Sequence, residues 1–296
     1  MNSSCSTPCT VAGHGPLFCK PSCLRWASVW PRACPTNSEY SAKMSSPSNM
    51  KGKAALVTGA ASGLGRATAI KLAQAGADLC IVDVNAAGLE QAAEVLRASG
   101  SRVVAHATDL SERDNCSRAI ERAVAEFNRL DALCNVAGII VMCNAHEMTA
   151  AEFQKTIDVN LSAPFYLIQA AIPHLLQTNG AVVNVTSSAA FVGEAYAVAY
   201  CATKAGLNHM TKALAMEYVN KPIRFNAVAP GGMLTNIAQN IKMPPDVDYA
   251  LIKRYSGLRG LVEVDDVADM IAFLASDAAR GYHGSIVSID RGITAG

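Results

Sequence analysis

Ala54-Ala55-Leu56-Val57-Thr58-Gly59-Ala60-Ala61-Ser62-Gly63-Leu64-Gly65 is the stretch on which the reading of this chain turns. An apolar run ends in a cluster of glycines, and a helical pattern through Ile70, Leu72 and Ala73 follows. That order of strand, turn and helix puts a glycine-rich loop at the amino-terminal end of a helix. Backbone N–H groups and the helix dipole there favour an anion such as a pyrophosphate. The glycines are separated by three residues and then by one, which departs from the G-x-G-x-x-G spacing.

Working outward, the same alternation continues to the end of the chain. Strands are expected at Leu79–Val84, Arg102–Ala107, Leu130–Asn135, Ala181–Thr186, Ile223–Val228 and Ser285–Ile289. Helices are expected through Leu89–Leu96, from a Ser111 cap to Phe127, from Thr149 to Gln177, over Tyr200–Val219 and over Val267–Ala275. Continuous apolar strands joined by helices imply parallel crossovers and a doubly wound α/β sheet. Ligands of such sheets bind where the winding reverses, here between the first and fourth strands. Asp83 ends the second strand about 20 residues beyond the loop, where a carboxylate accepts from ribose hydroxyls and repels a 2′-phosphate. No arginine occupies the loop before Gly63, and position 62 is serine, so NAD is favoured over NADP.

The composition sets limits on what else the chain does. Hydrophobic residues make up 51% and charged residues 17% of 296 positions, which suits one large buried core. A net charge of +1 offers no footprint for nucleic acid or an anionic membrane, and no apolar run is long enough to span one. A cytoplasmic location is expected. The cysteines after residue 50 (Cys80, Cys116, Cys134, Cys143, Cys201) sit among apolar residues without paired spacing and read as reduced packing thiols. No histidine pairing suggests a metal.

Residues 1–50 differ in character. They hold six of the twelve prolines and no acidic residue before Glu39, and they show no hydrophobic period. They read as a disordered or non-native extension, with residues 51–296 as the folded domain. The Cys5/Cys9 and Cys19/Cys23 spacings do not match a structural zinc site. An organellar leader and a translational start at Met44 or Met50 both stay open, the latter preferred.

Tyr200-Cys201-Ala202-Thr203-Lys204 puts a phenol and an ammonium on one helical face, where the cation is expected to lower the phenol's pKa. Together these segments resemble the short-chain dehydrogenase/reductase family over residues 52–296. The loop matches T-G-x-x-x-G-x-G, and Asn135-Val136-Ala137-Gly138 resembles N-N-A-G with Val136 in place of the second Asn. Asn160 lies in Asp158-Val159-Asn160-Leu161, Ser187 precedes Tyr200 by thirteen residues, and Pro230-Gly231-Gly232-Met233-Leu234-Thr235 resembles the segment holding the nicotinamide carboxamide. Asp290-Arg291-Gly292 departs from the common Asp-Gly-Gly.

The resemblance implies a Rossmann-like domain with a small substrate lid, and a role for each matched residue. Tyr200 acts as acid–base; Lys204 lowers its pKa and binds the nicotinamide ribose; Ser187 holds the substrate oxygen; Asn160 anchors a relay water. Gly59, Ser62, Gly63, Leu64, Gly65, Asp83, Asp109, Leu110, Asn135, Ala137, Gly138, Tyr200, Lys204, Pro230, Gly231, Met233 and Thr235 hold the NAD, with no metal.

The segment from Met233 to Arg259 is rich in apolar groups, as are Ala189–Val192, so a hydrophobic secondary alcohol or ketone (alicyclic, terpenoid or steroid-like) is expected. The alternatives are a 3-oxoacyl-[acyl-carrier-protein] reductase and, in another class, a non-catalytic dinucleotide sensor or scaffold. Excess apolar residues on the helices at 149–177 and 200–219 (Phe165, Tyr166, Ile168, Leu207, Met210, Leu214, Met216) imply a partner subunit, and with the resemblance a homotetramer is expected, a dimer being the alternative.

Overall fold

Seven strands lie in a single all-parallel sheet in the order β3-β2-β1-β4-β5-β6-β7. They are β1 (Ala54–Thr58), β2 (Asp78–Asp83), β3 (Val103–Ala107), β4 (Ala132–Asn135), β5 (Ala181–Val185), β6 (Arg224–Pro230) and β7 (Ile286–Ile289). The computed structural model describes residues 48–253, 255–257 and 259–295. The leader, with its cysteine spacings and Met44, therefore lies outside the described residues up to position 47.

The helices are α1 (Gly63–Gln74), α2 (Ala86–Ala98), α3 (Arg113–Phe127), α4 (Ala150–Ile157), α5 (Ala163–Thr178), α6 (Val198–Glu217), α7 (Asn236–Gln239), α8 (Tyr249–Lys253) and α9 (Val264–Ala275). The sheet is covered on both faces, which is why β1 reads as an unbroken apolar run. Alternate side chains of β1 serve different cores. Ala55 and Val57 join Leu72, Leu89 and Ile271 beneath α1, α2 and α9, while Ala54 and Leu56 join Ile120, Leu167 and Phe225 beneath α3 and α5. Winding reverses at β1, where Leu56 pairs with Cys80 on one side and Leu133 on the other.

Four details differ from the sequence reading. Met50 belongs to the folded unit rather than the leader: its side chain is fully buried and its N–H donates to the Ala75 carbonyl at 2.8 Å. Glu112, not Ser111, occupies the N-cap of α3, because the Ser111 hydroxyl is engaged by Asp109 at 2.8 Å. The long helix begins at Thr149 as expected, with a capping box to Glu152, but a π-helical turn at Asp158–Ser162 divides it. Two short helices, α7 and α8, form within the apolar segment from Met233 to Arg259. No helix among the described residues is long and apolar enough to cross a membrane.

Candidate active site

The glycine loop is shaped by contacts that exclude any side chain. Gly59 has φ +72°, and a Cβ there would lie 3.0 Å from the Ala137 Cα. A Cβ on Gly65 would lie 2.1 Å from the Gly59 carbonyl oxygen, so α1 starts hard against the turn. The Thr58 hydroxyl accepts from the Val136 and Ala137 N–H groups at 2.9 and 3.0 Å, which ties the loop to the end of β4. Asp83 accepts from the Ala61 and Asn85 N–H groups at 3.0 and 2.9 Å. Its carboxylate is thus oriented by the backbone while acceptor capacity remains for a ribose.

A cavity of about 390 Å³ opens above this loop, lined at one end by Gly59, Ser62, Gly63, Leu64, Gly65 and Asp83 and at the other by Gly138, Lys204, Met233 and Thr235. Asp109, Leu110 and Ala137 also line it. The cradle fits a dinucleotide: a helix amino terminus with glycines where the backbone must approach, and an oriented acid for the ribose. Lys155 was missed from sequence. Its ammonium donates to Asp109 Oδ2 at 2.8 Å and holds that carboxyl down at about 2. The pair is separated by 46 residues, and no local pattern announces it.

Besides Tyr200, three expected cofactor residues lie outside the cavity lining. The Asn135 amide is buried and donates to Asn184 Oδ1 at 2.9 Å, and Asn184 donates to the Thr211 hydroxyl at 2.9 Å. Strand polarity explains this, since Asn135 still lies within β4 and points into the layer between β5 and α6. Pro230 is buried at the end of β6. A Cβ on Gly231 would press within 2.9 Å of the Asp290 Cα, so that glycine serves the packing of the carboxy-terminal turn.

Lys204 is buried on α6, and its Nζ donates to the Val185 carbonyl at 2.9 Å. Asn160 sits in the π-helical turn, a device frequent at functional sites. Its amide receives the Ile139 N–H and donates to the Ile139 carbonyl, each at 2.8 Å. Gly138 keeps a space open between them: a Cβ there would lie 3.3 Å from Asn160 Oδ1 and 3.4 Å from Lys204 Nζ. Tyr200 stands one turn before Lys204, next to Ser187, whose hydroxyl also accepts from the Ala189 N–H at 3.2 Å. Of the four, Lys204 lines the cavity itself; Asn160 is bonded to Ile139, which also lines it, and Tyr200 stands one turn from Lys204 on α6 beside Ser187.

The electrostatics differ from the expected lowering of the phenol by its lysine. Burial pushes Tyr200 up to about 12, with the Ser187 hydrogen bond pulling the other way and the Glu194 charge adding to the rise. Burial lowers Lys204 to about 8. The ammonium is 5.6 Å from the phenol ring centroid and directed at a carbonyl, so desolvation of both groups outweighs their mutual attraction. Burial likewise raises the thiols of Cys80 and Cys134 to about 12 and Cys116 to about 11, which leaves them inert packing groups. The Cys201 thiol is also raised by burial and receives the Glu194 N–H at 3.4 Å, so it packs rather than attacks.

Comparison with known proteins matches this arrangement. A family model described as Enoyl-(Acyl carrier protein) reductase matches residues 59–294. The chain is 39% identical over 245 residues to a cis-4-hydroxycyclohexanecarboxylate dehydrogenase of Sinomonas cyclohexanicum, covering 82% of this chain and 97% of that one. A short-chain dehydrogenase of Burkholderia cenocepacia J2315, solved in complex with NADP, superposes with a TM-score of 0.75 at 31% identity, over 83% of this chain and 99% of that one. A 3-ketoacyl-(acyl-carrier-protein) reductase of Brucella melitensis, solved with NADH, gives 0.74 at 30% identity over 83% and 99%. With its sheet order, glycine cradle and Ser187–Tyr200–Lys204 cluster, the chain belongs to the short-chain dehydrogenase/reductase family of nicotinamide-dependent oxidoreductases.

Proposed function

We propose that the protein is an NAD(H)-dependent oxidoreductase that interconverts a secondary alcohol and a ketone on a hydrophobic, alicyclic to steroid-like substrate, with Tyr200 as acid–base. The observation that carries this reading is Tyr200 beside Ser187 and one turn from Lys204, a lysine that lines the cavity whose other end is the glycine cradle. The nicotinamide dinucleotide supplies or accepts the hydride, and the chain's own residues orient the reactants and move the proton.

In the oxidation direction the Tyr200 oxygen takes the proton of the substrate hydroxyl, and Ser187 holds the same oxygen by hydrogen bonding. In reduction the phenol returns that proton to the carbonyl. Lys204 stabilises the phenolate and reaches the nicotinamide ribose. Asn160, whose Oδ1 lies with Lys204 Nζ beside Gly138, takes in this reading the role of anchoring a water that relays protons towards Lys204. Asp83 at the ribose end supports NAD over NADP through repulsion of a 2′-phosphate.

Ile139, Val159, Val185, Met233 and Ile237 give the site end of the cavity an apolar lining, which supports a hydrophobic substrate. An acidic carrier protein fits less well, because the segments beside the site carry Glu147, Asp246 and Asp248. Phe165 and Met216 are 40% and 72% exposed on α5 and α6, which supports burial against further copies in a cytoplasmic homotetramer. Ile168 and Leu207, counted with them from sequence, belong to the subunit's own core. A screen of hydrophobic secondary alcohols with NAD and NADP, read by reduced-cofactor absorbance, tests the activity. Turnover of none of them, or a clear preference for NADP, overturns the reading; a monomer mass by light scattering overturns the assembly.

A further inference from the structure

A second cavity, of about 380 Å³, lies at the start of α6 and is lined by Cys143, Asn144, Gly193, Glu194, Tyr196 and Cys201, the residue after Tyr200, among others. Its walls are pinned. Tyr196 is held at φ +67°, a conformation costly for a bulky residue, and its carbonyl accepts the Cys143 N–H at 3.0 Å while its hydroxyl accepts the Asp248 N–H at 2.9 Å. The Asn144 amide is committed to Glu147 and Asp246 at 3.1 and 2.9 Å. The Tyr255 hydroxyl donates to the Ala195 carbonyl at 3.1 Å.

Glu194 is the polar group of this cavity whose bonding is left unfinished. Its side chain is partnered by the Ser188 hydroxyl, and no cation among the described residues acts on it. Its charge is felt by Tyr200, Cys201 and Tyr255, which places it among two phenols and a thiol beside the acid–base residue. A carboxylate offers about four acceptor positions. Ser188 fills one, and the others stay free on a half-exposed side chain that lines the cavity.

We propose that Glu194 is a specificity-determining residue that accepts a hydrogen bond from a second hydroxyl of the substrate, so that alicyclic diols are preferred to the matching mono-ols and to hydroxy acids. This rests on the alcohol–ketone reading above and names the substrate class for that site. Burial pushes the Glu194 carboxyl up to about 7, so both of its protonation forms are present near neutrality. A hydroxyl donates to the ionised form and accepts from the protonated one, whereas an ammonium only donates and a carboxylate is repelled by the ionised form.

The test uses the full-length enzyme with NAD on cyclohexanol, the regioisomeric cyclohexanediols and the hydroxycyclohexanecarboxylates, in the wild type, Glu194→Gln and Glu194→Met. The readout is the ratio of kcat/KM for the best diol to that for cyclohexanol, in which any common effect on Tyr200 cancels. Expected is a ratio of about ten or more in the wild type, largely kept by Gln and brought near unity by Met. A wild-type ratio near one, preference for the hydroxy acids, or a ratio unchanged in both variants overturns the inference while leaving the alcohol–ketone reading standing. If no alcohol is turned over, both fall together.

Discussion

Lys204 Nζ lies 5.6 Å from the centroid of the Tyr200 ring and spends its hydrogen bond on the Val185 carbonyl rather than on the phenol oxygen. The two groups are neighbours whose charges burial suppresses in opposite senses, to about 8 for the lysine and about 12 for the tyrosine. This arrangement has consequences for both stability and turnover.

Lys204→Met is expected to stabilise the fold while removing activity. A fall from the ordinary 10.5 to about 8 corresponds to a burial cost of roughly 3 kcal/mol at neutral pH. Loss of the Val185 hydrogen bond returns about 1 kcal/mol of that, for a net gain of about 2 kcal/mol. The folded pKa is below the unfolded one, so the penalty is full below pH 8 and disappears above pH 10.5. Thermal unfolding of wild type and variant across that window should show the advantage shrinking as pH rises, and equal stability at pH 7 would contradict it.

Tyr200→Phe should abolish turnover yet leave NADH affinity nearly unchanged, because only the proton-carrying oxygen is lost. General acid–base catalysis contributes about 10²–10⁴-fold. Activity above about a hundredth of wild type, or a matching loss of NADH binding by fluorescence titration, speaks against the assigned role.

Asp83→Ala should narrow the gap between NAD and NADP by removing repulsion of the 2′-phosphate. It also strips acceptors from the Ala61 and Asn85 N–H groups, so KM for NAD itself should rise. Steady-state kinetics with both cofactors decide the matter, and preference for NADP in the wild type would sink the assignment of Asp83.

Gly65→Ala should eliminate dinucleotide binding, since the added methyl would lie 2.1 Å from the Gly59 carbonyl oxygen. The turn must open before α1 can start. Isothermal titration with NADH on a variant that keeps its circular dichroism spectrum is the measurement, and wild-type affinity would show the cradle to be softer than its contacts imply.

The sheet was legible because its strands, buried on both faces, write themselves as apolar runs such as Ala54–Thr58 and Ala181–Val185. The glycine loop was legible because backbone crowding leaves glycine no substitute at position 65. What escaped depends on groups meeting across the fold: Lys155 with Asp109, Tyr196 with Asp248, and Glu194 beside Tyr200. For Asn135 a motif match names the position but not the direction of its side chain, which turns to Asn184. The upward push of burial on Tyr200 lay outside its reach, because spacing along a helix reports proximity and says nothing of desolvation.

The line of hydrogen bonds from Asn135 through Asn184 to Thr211 acts as a key that admits one alignment of the chain. β4 and β5 read Ala-Leu-Cys-Asn and Ala-Val-Val-Asn-Val, so their small apolar side chains are nearly interchangeable if one strand slips by a residue. Shape alone would hardly tell the two alignments apart. A slip would turn the Asn184 amide away from both partners, and each stranded polar group costs about 1–3 kcal/mol. Ser187 lies two residues beyond the end of β5, and its place beside Tyr200 is therefore proofread by an amide three positions earlier in the chain.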